Sequence, residues 1–133
     1  MGHDKRQDKR SKQAPFVSTP WTVLNSKAYI NLPPSAAKAL PYFFGRPKVS
    51  FADRQYLQTT FSFSYKEAEK LGFAPATWSK VLQDLVAFGF IEPTKKGGLR
   101  GNGKVCAVFH LSDRWKCYGQ RDFVLVDFKT WGT

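Results

Sequence analysis

Cysteine is scarce in this chain: Cys106 and Cys117 are the only two among 133 residues. Two cysteines cannot supply the multi-bridge framework that holds small secreted folds together, so a hydrophobic core must carry the stability. Long apolar runs are missing too. None approaches the ~18 residues that a membrane-crossing helix needs. The basic N-terminus has no apolar segment behind it, which argues against a secretory signal, and a cytoplasmic location without membrane attachment is expected. Signatures of catalysis are equally thin. The two histidines, His3 and His110, stand in no triad-like context. There is no phosphate loop, and the glycines at 97–103 lack the strand-to-helix setting of a nucleotide fingerprint. His110 lies between the cysteines as Cys106-x3-His110-x6-Cys117. That spacing lacks a fourth ligand and the tight pairs that structural zinc prefers. Buried free thiols, no metal, no cofactor and no enzymatic activity are the expectation.

Acidic residues are also few, and here the balance is informative. Asp plus Glu number 10 against 21 Lys and Arg, a formal net charge of +11 with a pI near 9.9. Such an excess suits a polyanionic partner, provided the charge is gathered in the right place. The core material is ample: 42% hydrophobic residues, with 12 Phe, 5 Tyr and 4 Trp. One domain is the default for this length.

Residues 1–15 are polar and read as a disordered basic arm. Lys5, Arg6, Lys9, Arg10 and Lys12 against Asp4 and Asp8 leave it at +3. A single domain is expected over 16–133. Thr19-Pro20-Trp21 reads as a helix start, with Thr19 as cap and Pro20 at the first helical position. Trp21, Leu24 and Ala28 then share a face. A second helix should open at Pro33-Pro34-Ser35 and run to about Phe44, with Leu40, Phe43 and Phe44 inward, Pro41 inside it and Gly45 as its stop. Residues 46–59 give no clean period and read as a loop.

From Thr60 the pattern sharpens. Phe61 and Phe63 alternate around Ser62, a short strand. Ser64-Tyr65-Lys66-Glu67 is a capping box, opening a helix with Tyr65, Ala68 and Leu71 inward and Gly72 as its stop. Pro75 fits the first position of the next helix. There Trp78, Leu82, Leu85 and Val86 face the core, with Val81 and Phe88 at the margins, and Gly89 ends it. Phe90 and Ile91 start a strand. Residues 95–104, KKGGLRGNGK, form a flexible basic hairpin loop, and Val105 to Leu111 return as its partner strand. Asp113 is placed to cap a turn. Phe123 to Phe128 reads as another strand, able to pair at a sheet edge or in a homodimer.

Two features suit DNA. The 75–88 helix offers Ala76, Thr77, Ser79, Lys80 and Gln83 outward near its N-terminus, small and polar groups of the kind a major groove accepts. Gln83 can pair with adenine, Lys80 with guanine or a phosphate, and Thr77 and Ser79 can donate to phosphates or read base edges. Asp84 is expected on the same outer face, farther along. The second feature is the loop. Lys95, Lys96, Arg100 and Lys104 against Glu92 give +3, and four glycines let the backbone follow a phosphate chain or enter a minor groove.

Residues 60–111 resemble the winged helix-turn-helix superfamily, in its MarR-like and replication-initiator-like branch. The segment TWSKVLQDLVAFGFI at 77–91 is similar to the "TVSRLLxxLxxxGxI" recognition helix and first wing strand of that family. Residues 19–118 resemble small helix-turn-helix proteins of bacteria, phages and plasmids. The long dimerisation helices of MarR proteins are not evident. The resemblance implies an α+β, mainly helical fold: a three-helix core, a small antiparallel sheet and an extra N-terminal helix, with a C-terminal strand extension. It also implies a nucleoid-associated protein binding double-stranded DNA, as a transcriptional regulator or a replication accessory of a mobile element. Base and phosphate contact would fall to Thr77, Ser79, Lys80 and Gln83, and phosphate contact to Lys95, Lys96, Arg100 and Lys104. A winged-helix module that binds protein or RNA is the alternative, motivated by the richness in Phe and Trp and by the segment from Phe123 to Phe128.

Overall fold

The computed structural model describes residues 16–47, 54–95, 98–100, 103–105 and 107–126. The expected arm at 1–15, Lys96, Cys106, and Asp127 and Phe128 of the expected last strand lie outside them. Among the described residues the chain is α+β: five α-helices, a three-stranded antiparallel sheet and a two-stranded hairpin. One buried cluster runs from Val23 to Leu111 and joins the helices to the three-stranded sheet.

The N-terminal helix is two short ones, α1 (Trp21–Leu24) and α2 (Lys27–Ile30). Thr19 caps neither. Pro20 is itself the N-cap of α1, outside rather than inside the helix. Ser26 makes the break. Its hydroxyl donates to the Val23 carbonyl at 2.6 Å and accepts from the Tyr29 N–H at 3.1 Å. It therefore closes one helix and caps the next. The turn rotates the buried face: Val23 and Ala28 go inward, while Trp21 is left 76% exposed.

Helix α3 (Pro34–Phe44) forms as the pattern requires, with Pro34 in its first turn, Pro41 inside it and Gly45 as C-cap. Its Leu40, Phe43 and Phe44 are buried. Within the expected loop that follows, Arg54–Leu57 is a 3-10 turn that buries Tyr56 in the core.

Strand β1 (Phe61–Ser62) leads into α4 (Tyr65–Lys70) through a complete capping box. The Ser64 hydroxyl accepts from the Glu67 N–H at 3.0 Å, and a Glu67 carboxylate oxygen accepts from the Ser64 N–H at 2.9 Å. Ala68 is the buried residue of this helix. Tyr65, expected inward, lies in the first turn and is exposed. The helix closes with Gly72 in the left-handed region at φ 95°. Phe73 N–H bonds to the Ala68 carbonyl and Gly72 N–H to that of Glu69, the two bonds of a Schellman turn. The turn folds Phe73 under the helix, 4% exposed.

Helix α5 (Pro75–Ala87) starts on Pro75, as expected. Trp78, Val81, Leu82, Leu85 and Val86 are all buried, so Val81 belongs to the core and not to its margin. Both α3 and α4 pack against α5. Phe43 lies at the centre of the aromatic core. It stacks on Trp78 at 5.6 Å and 13°, meets Phe63 at 5.0 Å, and touches Phe109 edge-on at 6.5 Å and 85°. Each such ring taken fully from water stabilises by about 1.5–3 kcal/mol.

Strands β2 (Ile91–Lys95) and β5 (Val108–Leu111) are antiparallel, with β1 on the other side of β5, giving the order β1-β5-β2. Ile91 pairs with Leu111, Glu92 with His110, and Phe61 with Phe109. The single return strand expected over Val105–Leu111 is two segments. Strand β4 (Gly103–Val105) pairs with β3 (Gly98–Arg100), and only from Val108 does the chain rejoin the main sheet. The ladder slips between Pro93 and Lys95, where proline has no N–H to donate. The basic loop is therefore partly a ladder of its own.

After β5, residues Arg114–Cys117 make a 3-10 turn. Asp113 precedes it without a side-chain cap; the Ser112 hydroxyl accepts from the Arg114 N–H instead. Residues 123–126 form no strand, so over the described part the expected C-terminal extension, and the edge it would offer a second copy, are absent. Arg114 explains the conformation. Its guanidinium donates to the Val124 carbonyl at 2.6 Å and sits over the Phe123 ring, which holds this stretch as a strap.

The capping box gives the first testable expectation. Ser64→Ala should cost about 1 kcal/mol in urea unfolding, the usual effect of losing a serine cap. Glu67 is held below its ordinary value of 4.5 by the Ser64 backbone hydrogen bond first and by Arg46 second. A carboxylate with a lowered folded pKa contributes stability above its unfolded value and loses it as pH falls through the folded one. Glu67→Gln should thus flatten the stability decline below about pH 4.5, measured as urea midpoints across that range.

Candidate nucleic-acid interface

The outer face of α5 follows from what its inner face buries. With Trp78, Val81, Leu82 and Leu85 turned to the core, the 3.6-residue period leaves Ala76, Thr77 and Lys80 exposed and Ser79 and Gln83 half-buried. All four expected contact residues of the helix, Thr77, Ser79, Lys80 and Gln83, share this face. Pro75 at the first helical position keeps the opening of the helix regular.

Two side-chain pairs run along the face. Gln83 donates to the Ser79 hydroxyl at 3.4 Å, a long contact that a base edge can replace. Lys80 donates to Asp84 at 3.0 Å. Here the expectation for Asp84 was wrong. It is not a solvated group on the outer face but is 7% exposed, tucked at the edge where α5 meets the core. Burial of a carboxylate requires a partner, and Lys80 is that partner.

This has a measurable consequence. Lys80→Ala removes the one ion-pair partner that Asp84 has among the described residues and should cost about 1 kcal/mol, more than the removal of an ordinary surface lysine. Adding Asp84→Asn should recover most of that loss. Independent, additive effects in the double-substitution cycle would show that the pair contributes nothing.

The basic hairpin begins where β2 ends. Lys95 is the last residue of β2, Arg100 pairs with Gly103 at the tip side of the ladder, and Lys104 pairs with Leu99. The one acid of this region, Glu92, is committed elsewhere. Its carboxylate accepts from the Ser112 hydroxyl at 2.6 Å and from Arg114 Nε at 3.2 Å. His110 stands 3.9 Å away on the neighbouring strand, its Nδ1 within 2.9 Å of the Leu111 carbonyl.

Arg114 is the residue that sequence reasoning missed. It reaches Glu92 on β2, the Val86 carbonyl in the last turn of α5, and Val124 in the strap. Partial burial lowers its pKa from the ordinary guanidinium value, and the Glu92 carboxylate opposes that shift. It remains a cation and acts as a C-terminal cap for α5, where positive charge is favourable. No local pattern marks it, since its partners lie 10 to 28 positions away.

Cys117, expected to be buried, is a half-buried free thiol donating to Asp122 at 3.7 Å. Burial, then Asp122, pushes its pKa up, which keeps it a thiol and a poor ligand. Among the described residues no three His, Cys, Asp or Glu side chains converge, and no helix is long and apolar enough to cross a membrane. No family model matches the chain, and no curated protein or solved structure matches it.

Proposed function

We propose that the protein is a winged helix-turn-helix protein that binds double-stranded DNA in the cytoplasm, on the nucleoid, as a transcriptional regulator or a replication accessory of a mobile element. The observation that carries this reading is the outward row Thr77, Ser79, Lys80 and Gln83 on α5. It is supported by the order of elements: α3, β1, α4, a four-residue turn, α5, β2, a basic hairpin and β5, in a sheet ordered β1-β5-β2. In this reading α5 enters the major groove. The hairpin bearing Lys95, Lys96, Arg100 and Lys104 lies on the backbone or in the minor groove. Net charge of +11 supplies the long-range attraction.

A fluorescence-anisotropy titration of duplexes selected from a random pool, at low salt, tests it. Binding that weakens linearly in log K against log salt is expected. Absence of binding to every duplex at low salt removes the proposal. The alternative, a protein- or RNA-binding module, is favoured by one observation: Phe16, Trp21 and Ile30 are 86%, 76% and 69% exposed on the N-terminal segment. Capture of a partner that survives neutralisation of Lys80, Lys95 and Lys96 would support that reading instead.

A further inference from the structure

Away from α5, the N-terminal helices and the turn after β5 enclose an open cleft of about 490 Å³, within the size range of small-molecule sites. Two cations line it, Lys27 and Lys116, together with Trp115, Tyr118, Thr22 and Gln120. Among the described residues neither lysine belongs to an ion pair. An anion seated at a concave site lined by two ammonium groups is stabilised by both.

The aromatic side of the cleft is fixed from behind. Trp115 stacks on Phe90 at 6.0 Å and 16°, and its N–H bonds to the Gly89 carbonyl. Tyr118 stacks on Phe88 at 5.0 Å and 17° and meets Phe123 edge-on at 5.5 Å. The rings are therefore held in place before a ligand arrives, which lowers the cost of binding. The cations are also guided. The Lys116 ammonium stands 5.8 Å over the Trp115 ring. The Lys27 stem crosses Gly119, where an added Cβ would lie 3.1 Å from Lys27 Cδ. Gly119 sits at φ 87°, a conformation that glycine adopts freely. Thr22 and Gln120 add hydrogen-bonding groups at the rim.

We propose that this cleft binds a nucleoside phosphate, its base against the Trp115–Tyr118 wall and its phosphate between Lys27 and Lys116. Rings alone would select an apolar ligand and lysines alone any anion; their combination selects a planar ring that carries phosphate. The ligand chemistry is the same for a free nucleotide and for an unpaired nucleotide within a DNA strand. The site shares no residue with α5 or the hairpin, and it stands or falls separately from duplex binding.

The experiment is isothermal titration of the full chain with three probes: ATP, inorganic tripolyphosphate, and a short single-stranded oligothymidylate. ATP is expected to bind and tripolyphosphate to bind at least about tenfold more weakly, since it lacks the ring. Lys27→Gln and Lys116→Gln should each weaken ATP by about tenfold, the loss of one charge-assisted hydrogen bond. Both positions are at the surface, and both variants should retain the wild-type urea midpoint and duplex affinity. Oligothymidylate binding that responds to the same two substitutions, with ATP weaker, would assign the site to an unpaired strand; ATP tighter than the oligomer assigns it to a free nucleotide. The proposal is overturned if neither ATP nor the oligomer binds, if tripolyphosphate matches ATP, or if both variants bind as wild type does.

Discussion

Gly89→Ala is expected to cost about 3–5 kcal/mol of folding stability, while Gly72→Ala, in the same kind of turn, costs only about 1 kcal/mol. Both glycines end a helix in the left-handed region, at φ 92° and 95°, and both complete Schellman turns. Backbone strain on a residue with a Cβ is therefore similar at the two sites, about 1–2 kcal/mol. The smaller conformational freedom of the unfolded alanine chain offsets part of it. The difference is in what the Cβ meets. At Gly72 the nearest atom is the flexible Lys38 ammonium, 3.8 Å away. At Gly89 it would lie 2.6 Å from the Trp115 backbone nitrogen and 2.9 Å from the Arg114 carbonyl carbon.

Nothing there can retreat cheaply. Trp115 N–H is bonded to the Gly89 carbonyl, and the Arg114 guanidinium is tied to Val86 and Glu92. Relieving the overlap means unseating the turn at 114–117 from the end of α5. That sacrifices the Arg114 bonds and the Trp115–Phe90 stack together, a packing loss of a further 1–3 kcal/mol or about that. For a domain whose whole stability is about 5–15 kcal/mol, the first substitution removes a large share and the second does not. Urea unfolding followed by tryptophan emission separates them, since Trp78 and Trp115 both report on the core. Equal losses would mean that residues 114–115 are not seated on α5.

The contrast also shows which parts of the molecule a local reading could reach. The capping box at Ser64–Glu67, the stops at Gly72 and Gly89, and Pro75 at the head of α5 are contacts within four residues, and each formed where the sequence placed it. The buried stripe of α5 was legible for the same reason: Trp78, Leu82, Leu85 and Val86 recur at the helical period. What escaped depends on distant partners. Asp84 has the spacing of an outer-face residue, and only the packing of α5 decides that it is covered. Trp21 has the composition of a core residue, but the turn at Ser26 points it outward. Arg114 is invisible as a structural centre until β2, the end of α5 and the strap are brought beside it. The cleft at Lys27 and Lys116 is of this kind too, since its walls lie almost 90 positions apart. For the candidate interface, the outward row on α5 was legible from periodicity, while the commitments of its side chains, Lys80 to Asp84 and Gln83 to Ser79, were not.

Replacing Lys95, Lys96, Arg100 and Lys104 together by Ala is expected to weaken duplex binding by on the order of 10³-fold at 0.1 M salt, whatever the duplex sequence. Each phosphate contact contributes about 0.9 to the slope of log K against log salt, so four contacts contribute up to about 3.6 units. The same exponent gives the affinity change at 0.1 M, because each released counterion is worth nearly a factor of ten there. Stability should change little, as Arg100 and Lys104 lie on a ladder separate from the main sheet and Lys95 is the terminal residue of β2. Gln83→Ala and Thr77→Ala should behave in the opposite way. They remove no charge, so the salt slope stays, while affinity for the preferred duplex drops by about 1–3 kcal/mol and that for a scrambled one does not. The two classes of substitution thus read out two distinct terms, attraction and sequence choice. If the hairpin variants changed sequence preference and the α5 variants changed the salt slope, the roles of hairpin and helix would have to be exchanged. If neither set moved either quantity, duplex DNA would not be the partner of this surface, and the charge would have to be accounted for by another polyanion.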